Sequence, residues 1–161
     1  MDFIDPFLIQ SLQLAESSKA NGNHPFGALL VYQGQILATA ENTVTSDRDV
    51  TAHAELNLLR QVSQSISSEI LNVCVLYSST EPCAMCAGAI YWAGITSIVF
   101  GCSNQVLSRI VGGSLEIPCR EIFQRGNRPI AVSGPVHESH FQRIHEEFWN
   151  KARGGTKFGP K

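Results

Sequence analysis

Two short segments carry the residue types most able to do chemistry: Thr51-Ala52-His53-Ala54-Glu55 and Glu81-Pro82-Cys83-Ala84-Met85-Cys86. Cys83 and Cys86 stand three apart, so on a first helical turn both sulfurs point the same way and can grip one ion. Pro82 suits a helix start, where its missing N–H costs nothing. The positive end of a helix favours thiolate over thiol, which supports metal binding at both cysteines. His53 offers a third ligand, and one nitrogen with two sulfurs is a donor set that suits zinc. Zinc is ordinarily tetrahedral, so three protein ligands leave one vertex for water, and an open vertex marks a catalytic site. Such an ion lowers the pKa of its bound water to about 7. Glu55, two residues beyond His53, is near enough to take the proton and pass it to a ring nitrogen and a departing amine. The set performs hydrolysis without a nucleophilic side chain.

Other readings account for fewer of these residues. A thioredoxin-like redox pair explains Cys83 and Cys86 but leaves His53 and Glu55 idle. A closed structural zinc site requires a fourth ligand, for which Cys74, Cys102 and His24 are the candidates. The apolar surroundings of Cys74 and Cys102 mark them instead as small core residues. His137, His140 and His145 lie in or near the last expected helix and read as solvated or locally hydrogen-bonded. Trp92 and Trp149 read as core or interface residues.

The elements that must position this chemistry follow from hydrophobic spacing. Ile4, Leu8, Leu12 and Ala15 mark one face of a helix that Gly22 ends. Phe26 to Tyr32 reads as a strand, and Gly34 turns the chain into a second strand over Gln35 to Ala40. Leu56, Leu59 and Ile66 lie near one face of a helix starting close to Ala52. Leu71 to Tyr77 is apolar on both alternating faces, as a strand covered on both sides requires. Met85, Ala89 and Trp92 trace a further helix, and Thr96 to Phe100 a fourth strand. A Gly-rich passage at Gly112 and Gly113 precedes a short helix over Ile117 to Phe123. Ile130 to Ser133 reads as a fifth strand, and Phe141, Ile144 and Phe148 mark the last helix. Strands alternating with helices after an initial hairpin predict an α/β fold: three α/β/α layers around a central mixed five-stranded sheet. Ligands in such folds sit where loops leave strand ends and helices begin, which is where His53 and Cys83 fall.

The order His-x-Glu followed by Pro-Cys-x-x-Cys, here His53, Glu55, Pro82, Cys83 and Cys86, resembles the signature of zinc-dependent nucleobase deaminases. The chain is identified on these residues as a member of the cytidine and deoxycytidylate deaminase superfamily. The likeness extends from Pro25-Phe26-Gly27-Ala28 to Gly88-Ala89-Ile90-Tyr91-Trp92-Ala93. It implies the cytidine deaminase-like fold, one zinc ion per chain on His53, Cys83 and Cys86, and Glu55 as the proton shuttle. It further implies that Asn42 and the peptide N–H of Ala54 grip the substrate. Phe26, placed before the first strand, could stack on a base; Asn42 as a solvent-facing turn and Phe26 as an ordinary core ring are the alternatives. Pro25 to Ala28, Asn42, Glu81-Pro82-Cys83 and Gly88 to Ala93 resemble bacterial guanine deaminases most. These close the site with an aromatic C-terminal segment, a part for which Phe148, Trp149 and Phe158 are the candidates. Gly113-Ser114-Leu115 is closer to the tRNA adenosine deaminases, and the acidic cluster that guanine deaminases carry after the fourth strand is absent.

The expected activity is therefore zinc-dependent hydrolytic deamination of a free nucleobase or nucleoside, an aminopurine such as guanine foremost. Deamination of a tRNA anticodon adenosine and a non-catalytic zinc-stabilised binding module are the alternatives. The superfamily likeness implies a homodimer, with Trp92 on the contact surface.

Bulk composition agrees with one deaminase domain over residues 1–161, whose last ten residues, 152–161, read as a flexible tail. Twelve Lys and Arg against fourteen Asp and Glu form no basic stripe of the kind that tracks phosphates. The cations Lys151, Arg153, Lys157 and Lys161 near the C-terminus are the exception, and tRNA remains the less favoured partner. No apolar run approaches the roughly 20 residues that cross a bilayer. The N-terminus is acidic where a signal peptide is basic, and five cysteines in a metal-like pattern fit a reducing, cytoplasmic setting.

Overall fold

The computed structural model of the protein describes residues 3–152. Five strands form one mixed sheet in the order β2-β1-β3-β4-β5. The strands are β1 (Gly27–Tyr32), β2 (Gln35–Glu41), β3 (Val75–Thr80), β4 (Ser97–Cys102) and β5 (Ala131–Ser133). β1 runs antiparallel to both β2 and β3, whereas β3, β4 and β5 are mutually parallel neighbours. The parallel half requires helical crossovers, and α5 (Ala84–Ala93) supplies the one between β3 and β4.

Alternation along the strands builds two cores. Ala28, Leu30, Leu76, Ile98 and Phe100 face the larger core, which they share with Leu58 of α3 (Ala54–Val62) and Ile90 of α5. Their neighbours Leu29, Val31 and Tyr77 face the other way. They meet Leu8 of α1 (Pro6–Ala20) and Phe141 of α8 (Glu138–Ala152). The expected three layers and five-stranded mixed sheet are thus present.

Two glycines permit the close approach of the α1 and α8 layer. A Cβ at Gly27 would strike the backbone of α1 at Ser11, and one at Gly101 would strike the ring of Phe141. At the start of α1, Pro6 takes the first helical position and the Asp5 carboxylate accepts from the Phe7 amide at 2.8 Å. The other carboxylate oxygen of Asp5 accepts from the Tyr77 hydroxyl at 3.0 Å, tying helix to sheet.

Several boundaries differ from the sequence expectation. The central strand covers Val75–Thr80 rather than Leu71 to Tyr77, and Leu71 ends a short helix α4 (Ser68–Leu71) instead. The strand's polar end, Ser78-Ser79-Thr80, is buried although its composition reads as a loop. The helix after the first loop starts at Ala54 and leaves Ile66 beyond its end. Besides α4, two further helices were not anticipated: α2 (Val44–Asp47) and α6 (Asn104–Val111). α6 has both boundary signals, since Ser103 Oγ accepts from the Val106 amide and Gly112 closes it with φ of 84°. α7 (Cys119–Phe123) completes the set. The expected flexible tail lies, but for Ala152, outside the described residues, as does Phe158.

Candidate active site

His53 and Cys83 hold equivalent places in the chain. Each is the residue before a helix, in extended conformation, with α3 beginning at Ala54 and α5 at Ala84. The two helix starts meet beneath the ends of β1 and β3. His53 Nδ1 lies 3.5 Å from Cys83 Sγ and 3.4 Å from Cys86 Sγ. All three ligand atoms fall within 4.8 Å of one another. Zinc bonds of about 2.3 Å to sulfur and 2.0–2.1 Å to nitrogen at a tetrahedral angle separate N from S by roughly 3.6 Å. The observed spacing fits one such ion.

His53 and Cys86 are buried and Cys83 is partly open. Neither Cys74, Cys102 nor His24 joins this group among the described residues, so a protein-saturated structural site is not what they build. Cys74 and Cys102 are fully buried, as small core residues should be, and burial pushes the Cys74 thiol up. No disulfide joins the five cysteines to one another. A cavity of about 220 Å³ opens over His53 and Cys83, rimmed by Val50, Met85 and Leu115.

Glu55 occupies the first turn of α3 and is 1 % exposed. Ser78, on the strand face that looks at α3, donates its hydroxyl to Glu55 Oε1 at 3.1 Å. A carboxylate is thereby buried at a helix N-terminus, where the helix dipole favours its charge. The Ala54 amide beside it belongs to the first turn, whose N–H groups lack intrahelical acceptors.

Asn42 is fully buried and not a solvent-facing turn residue. Its backbone N–H donates to Phe26 O at 3.1 Å, and its Oδ1 accepts from the Val44 amide at 3.1 Å. Its Nδ2 has no hydrogen-bond partner. Phe26 is 2 % exposed and packs in the larger core, its ring 5.1 Å from that of His145.

The chain belongs to the cytidine and deoxycytidylate deaminase family. Residues 1–102 match the family's model, described as the cytidine and deoxycytidylate deaminase zinc-binding region. A Schizosaccharomyces pombe protein named probable cytosine deaminase is 34 % identical over 152 residues, covering 91 % of this chain and 93 % of its own. Bacillus subtilis guanine deaminase is 40 % identical over 101 residues, which is 62 % of this chain and 65 % of that enzyme. Among solved structures, a tRNA:A34 deaminase superposes with a TM-score of 0.71 at 32 % identity, covering 86 % of this chain and 97 % of its own. The deaminase family is zinc-binding, and His53, Cys83 and Cys86 form the potential zinc site of this member.

Three residues of this deaminase site escaped the sequence reading. Glu81 is 3 % exposed; its Oε2 accepts from the Asn104 amide at 2.9 Å and its Oε1 from the Cys119 amide at 2.8 Å. It thus fastens the starts of α6 and α7 to the loop that carries Cys83. The signal was an acidic residue directly before Pro82-Cys83. His145, expected to be solvated or locally bonded, is fully buried and shares a 2.7 Å hydrogen bond with Thr80 Oγ1. Ser78 was unreadable without the register that aims it at α3.

Trp92 is 83 % exposed on α5, and Trp149 is half-buried against the core. No helix among the described residues is long and apolar enough to cross a membrane.

Proposed function

We propose that this deaminase hydrolytically removes the exocyclic amine of a free nucleobase or nucleoside, with an aminopurine such as guanine foremost. The observation that carries the reading is Glu55, a buried carboxylate fixed by Ser78 beside the potential zinc site. A binding module has no use for an acid/base group there. When bound by His53, Cys83 and Cys86, zinc supplies Lewis-acid activation of water at neutral pH. Glu55 accepts one proton from the water and delivers it to a ring nitrogen, then carries the remaining hydroxyl proton to the amine, which leaves as ammonia while the carbonyl forms. Ser78 holds the carboxylate in position for the transfer. The Ala54 amide and the Asn42 side-chain NH2, which has no protein partner, donate to acceptor atoms of the ring. Phe26 supports that wall of the site from beneath.

The segment likeness to guanine deaminase, with 40 % identity to the B. subtilis enzyme, supports a purine. The likeness to the tRNA:A34 deaminase structure favours a second reading, an anticodon adenosine in tRNA. The chain is taken to act as one catalytic domain in the cytoplasm. It pairs with a second copy across the groove of about 620 Å³ that Leu56, Leu59, Ile66 and Trp92 line, since an exposed Trp in an apolar groove marks an interaction surface.

Ammonia release from guanine, adenine, cytosine and their nucleosides tests the proposal. Turnover of at least one free base or nucleoside is expected. Silence across the panel, with inosine formation in tRNA, would establish the second reading.

A further inference from the structure

The turn between α2 and α3 ends at the ligand His53, and side chains fasten it from three sides. Asp49 Oδ1 accepts from the Thr51 amide at 2.8 Å and from the Thr51 hydroxyl at 2.7 Å. The Ala52 amide donates to Asp49 O at 3.0 Å, and Ala52 O accepts from the Thr43 amide at 2.9 Å. Arg60, in the last turn of α3, reaches back along its own helix. Its Nη2 donates to Thr51 Oγ1 at 2.7 Å and lies 3.8 Å from Asp49 Oδ2. Its Nη1 donates to Asn57 Oδ1 at 3.0 Å, so that the Asn57 NH2 faces Thr43 Oγ1 at 2.9 Å and Ala52 O at 3.3 Å. One guanidinium thus grips the turn directly at Thr51 and indirectly through Asn57, as a planar fork of several donors can.

Between these anchors Val50 is left 76 % exposed, and it lines the cavity over His53 and Cys83. Met85 of α5 and Leu115 of the loop after α6 are exposed apolar residues that line the same cavity. A single exposed apolar side chain is ordinary, but three from separate segments around one opening form a patch for a ligand to cover. The face of a heteroaromatic ring is flat and apolar and matches such a collar. Holding the turn still beforehand lowers the entropy lost when a ring settles against it.

We propose that Arg60 is a positioning residue for substrate binding: by locking Thr51 and Asn57 it presents Val50 to one face of the substrate's ring. This rests on the deaminase reading and adds to it an apolar contact beside the polar ones. Arg60 lines the groove proposed for pairing rather than this cavity, and it acts on the substrate only through Val50.

The test has two arms on the zinc-loaded full-length protein. In the first, kcat and KM for the base or nucleoside that wild type deaminates fastest are measured in Val50→Ala, Arg60→Ala and the double variant. Val50→Ala should raise KM roughly four- to fifteen-fold, the contribution of one or two methyl groups left in water, with kcat changed much less. Arg60→Ala should raise KM about two- to five-fold. Its side chain is half exposed, so this variant should fold and keep a urea midpoint close to that of wild type. In the Val50→Ala background, Arg60→Ala should add less than about a factor of two, because the group it positions is gone. Effects that multiply independently overturn the proposal and place the action of Arg60 in the general fold or the pairing groove. In the second arm, NMR follows the Val50 methyl signals, identified by their loss in Val50→Ala, as unsubstituted purine is added. Purine keeps the ring face and has no exocyclic amine to lose. The Val50 methyl signals should move upfield, and the Thr51 and Ala52 amides should exchange with solvent faster in Arg60→Ala than in wild type. Val50 signals unmoved up to the solubility limit of purine overturn the contact, and unchanged Thr51 and Ala52 exchange in Arg60→Ala overturns the lock. If wild type releases no ammonia from any base or nucleoside, the free-base deaminase reading fails, while the methyl and exchange measurements still decide the parts of Val50 and Arg60.

Discussion

Replacing Glu81 by Ala should cost the protein a large part of its stability without removing any group that touches the reaction. The carboxylate is 3 % exposed and accepts two buried backbone amides, Asn104 at 2.9 Å and Cys119 at 2.8 Å. A hydrogen bond to a charged acceptor contributes about 1.5–3 kcal/mol, and its loss leaves the amide buried without a partner. Two together amount to about 3–6 kcal/mol, against a total stability of about 5–15 kcal/mol for a domain. Glu81→Gln keeps one oxygen for one amide but turns an NH2 toward the other, so it should recover less than half of the loss. Urea unfolding of wild type and both variants, at equal excess zinc, measures the difference. With a slope near 2 kcal/mol/M the midpoint should fall by about 1.5–3 M for Glu81→Ala. A Glu81→Ala midpoint within about 0.3 M of wild type would refute the bracket between the cysteine loop, α6 and α7.

The other expectations are more local. Glu55→Gln should retain fold and zinc while kcat falls by about 10²–10⁴; ammonia release and metal content on the same sample check it, and full turnover would remove Glu55 from the mechanism. Ser78→Ala should lower kcat less than Glu55→Gln does, because it removes one hydrogen bond to the carboxylate and leaves the carboxylate in place. Tyr77 is pushed up to about 12 by burial and then by Asp5. Its folded-state pKa thus exceeds the unfolded one of about 10, so the stability it lends is complete below pH 10 and is lost as pH rises toward 12. Tyr77→Phe should flatten that decline in urea midpoints measured across the window, and an unchanged decline would count against it. Trp92→Glu should shift the sedimentation coefficient from dimer to monomer, and a wild type that sediments as a monomer would dismiss the pairing.

The chemistry was more legible in the chain than the boundaries that hold it. His53, Cys83 and Cys86 could be grouped because their donor types and helix-start spacing suit one ion, and the folded chain brings them within 4.8 Å of one another. The central strand was displaced toward Leu71 because Ser78-Ser79-Thr80 looks like a loop. Those polar residues are buried where the strand ends at the site, with Ser78 on Glu55 and Thr80 on His145. α6 is marked in the chain only at its ends, by Ser103 and Gly112, and the Gly-rich passage beside it has the composition of a loop. Glu81 and His145 depend on partners 23, 38 and 65 residues away, His24 packs against the more distant Trp149, and no local pattern carries such pairings. Asn42 was visible only through family likeness; its burial and unmatched amide emerge from the fold.

His53, Cys83 and Cys86 together should hold one zinc ion with one vertex left to a light ligand. X-ray absorption at the zinc edge of the purified protein measures that coordination directly. The prediction is two sulfurs at about 2.3 Å with one imidazole nitrogen and one further light atom at about 2.0–2.1 Å. A sphere of four protein ligands, or zinc retained at one per chain in Cys83→Ala, would contradict it.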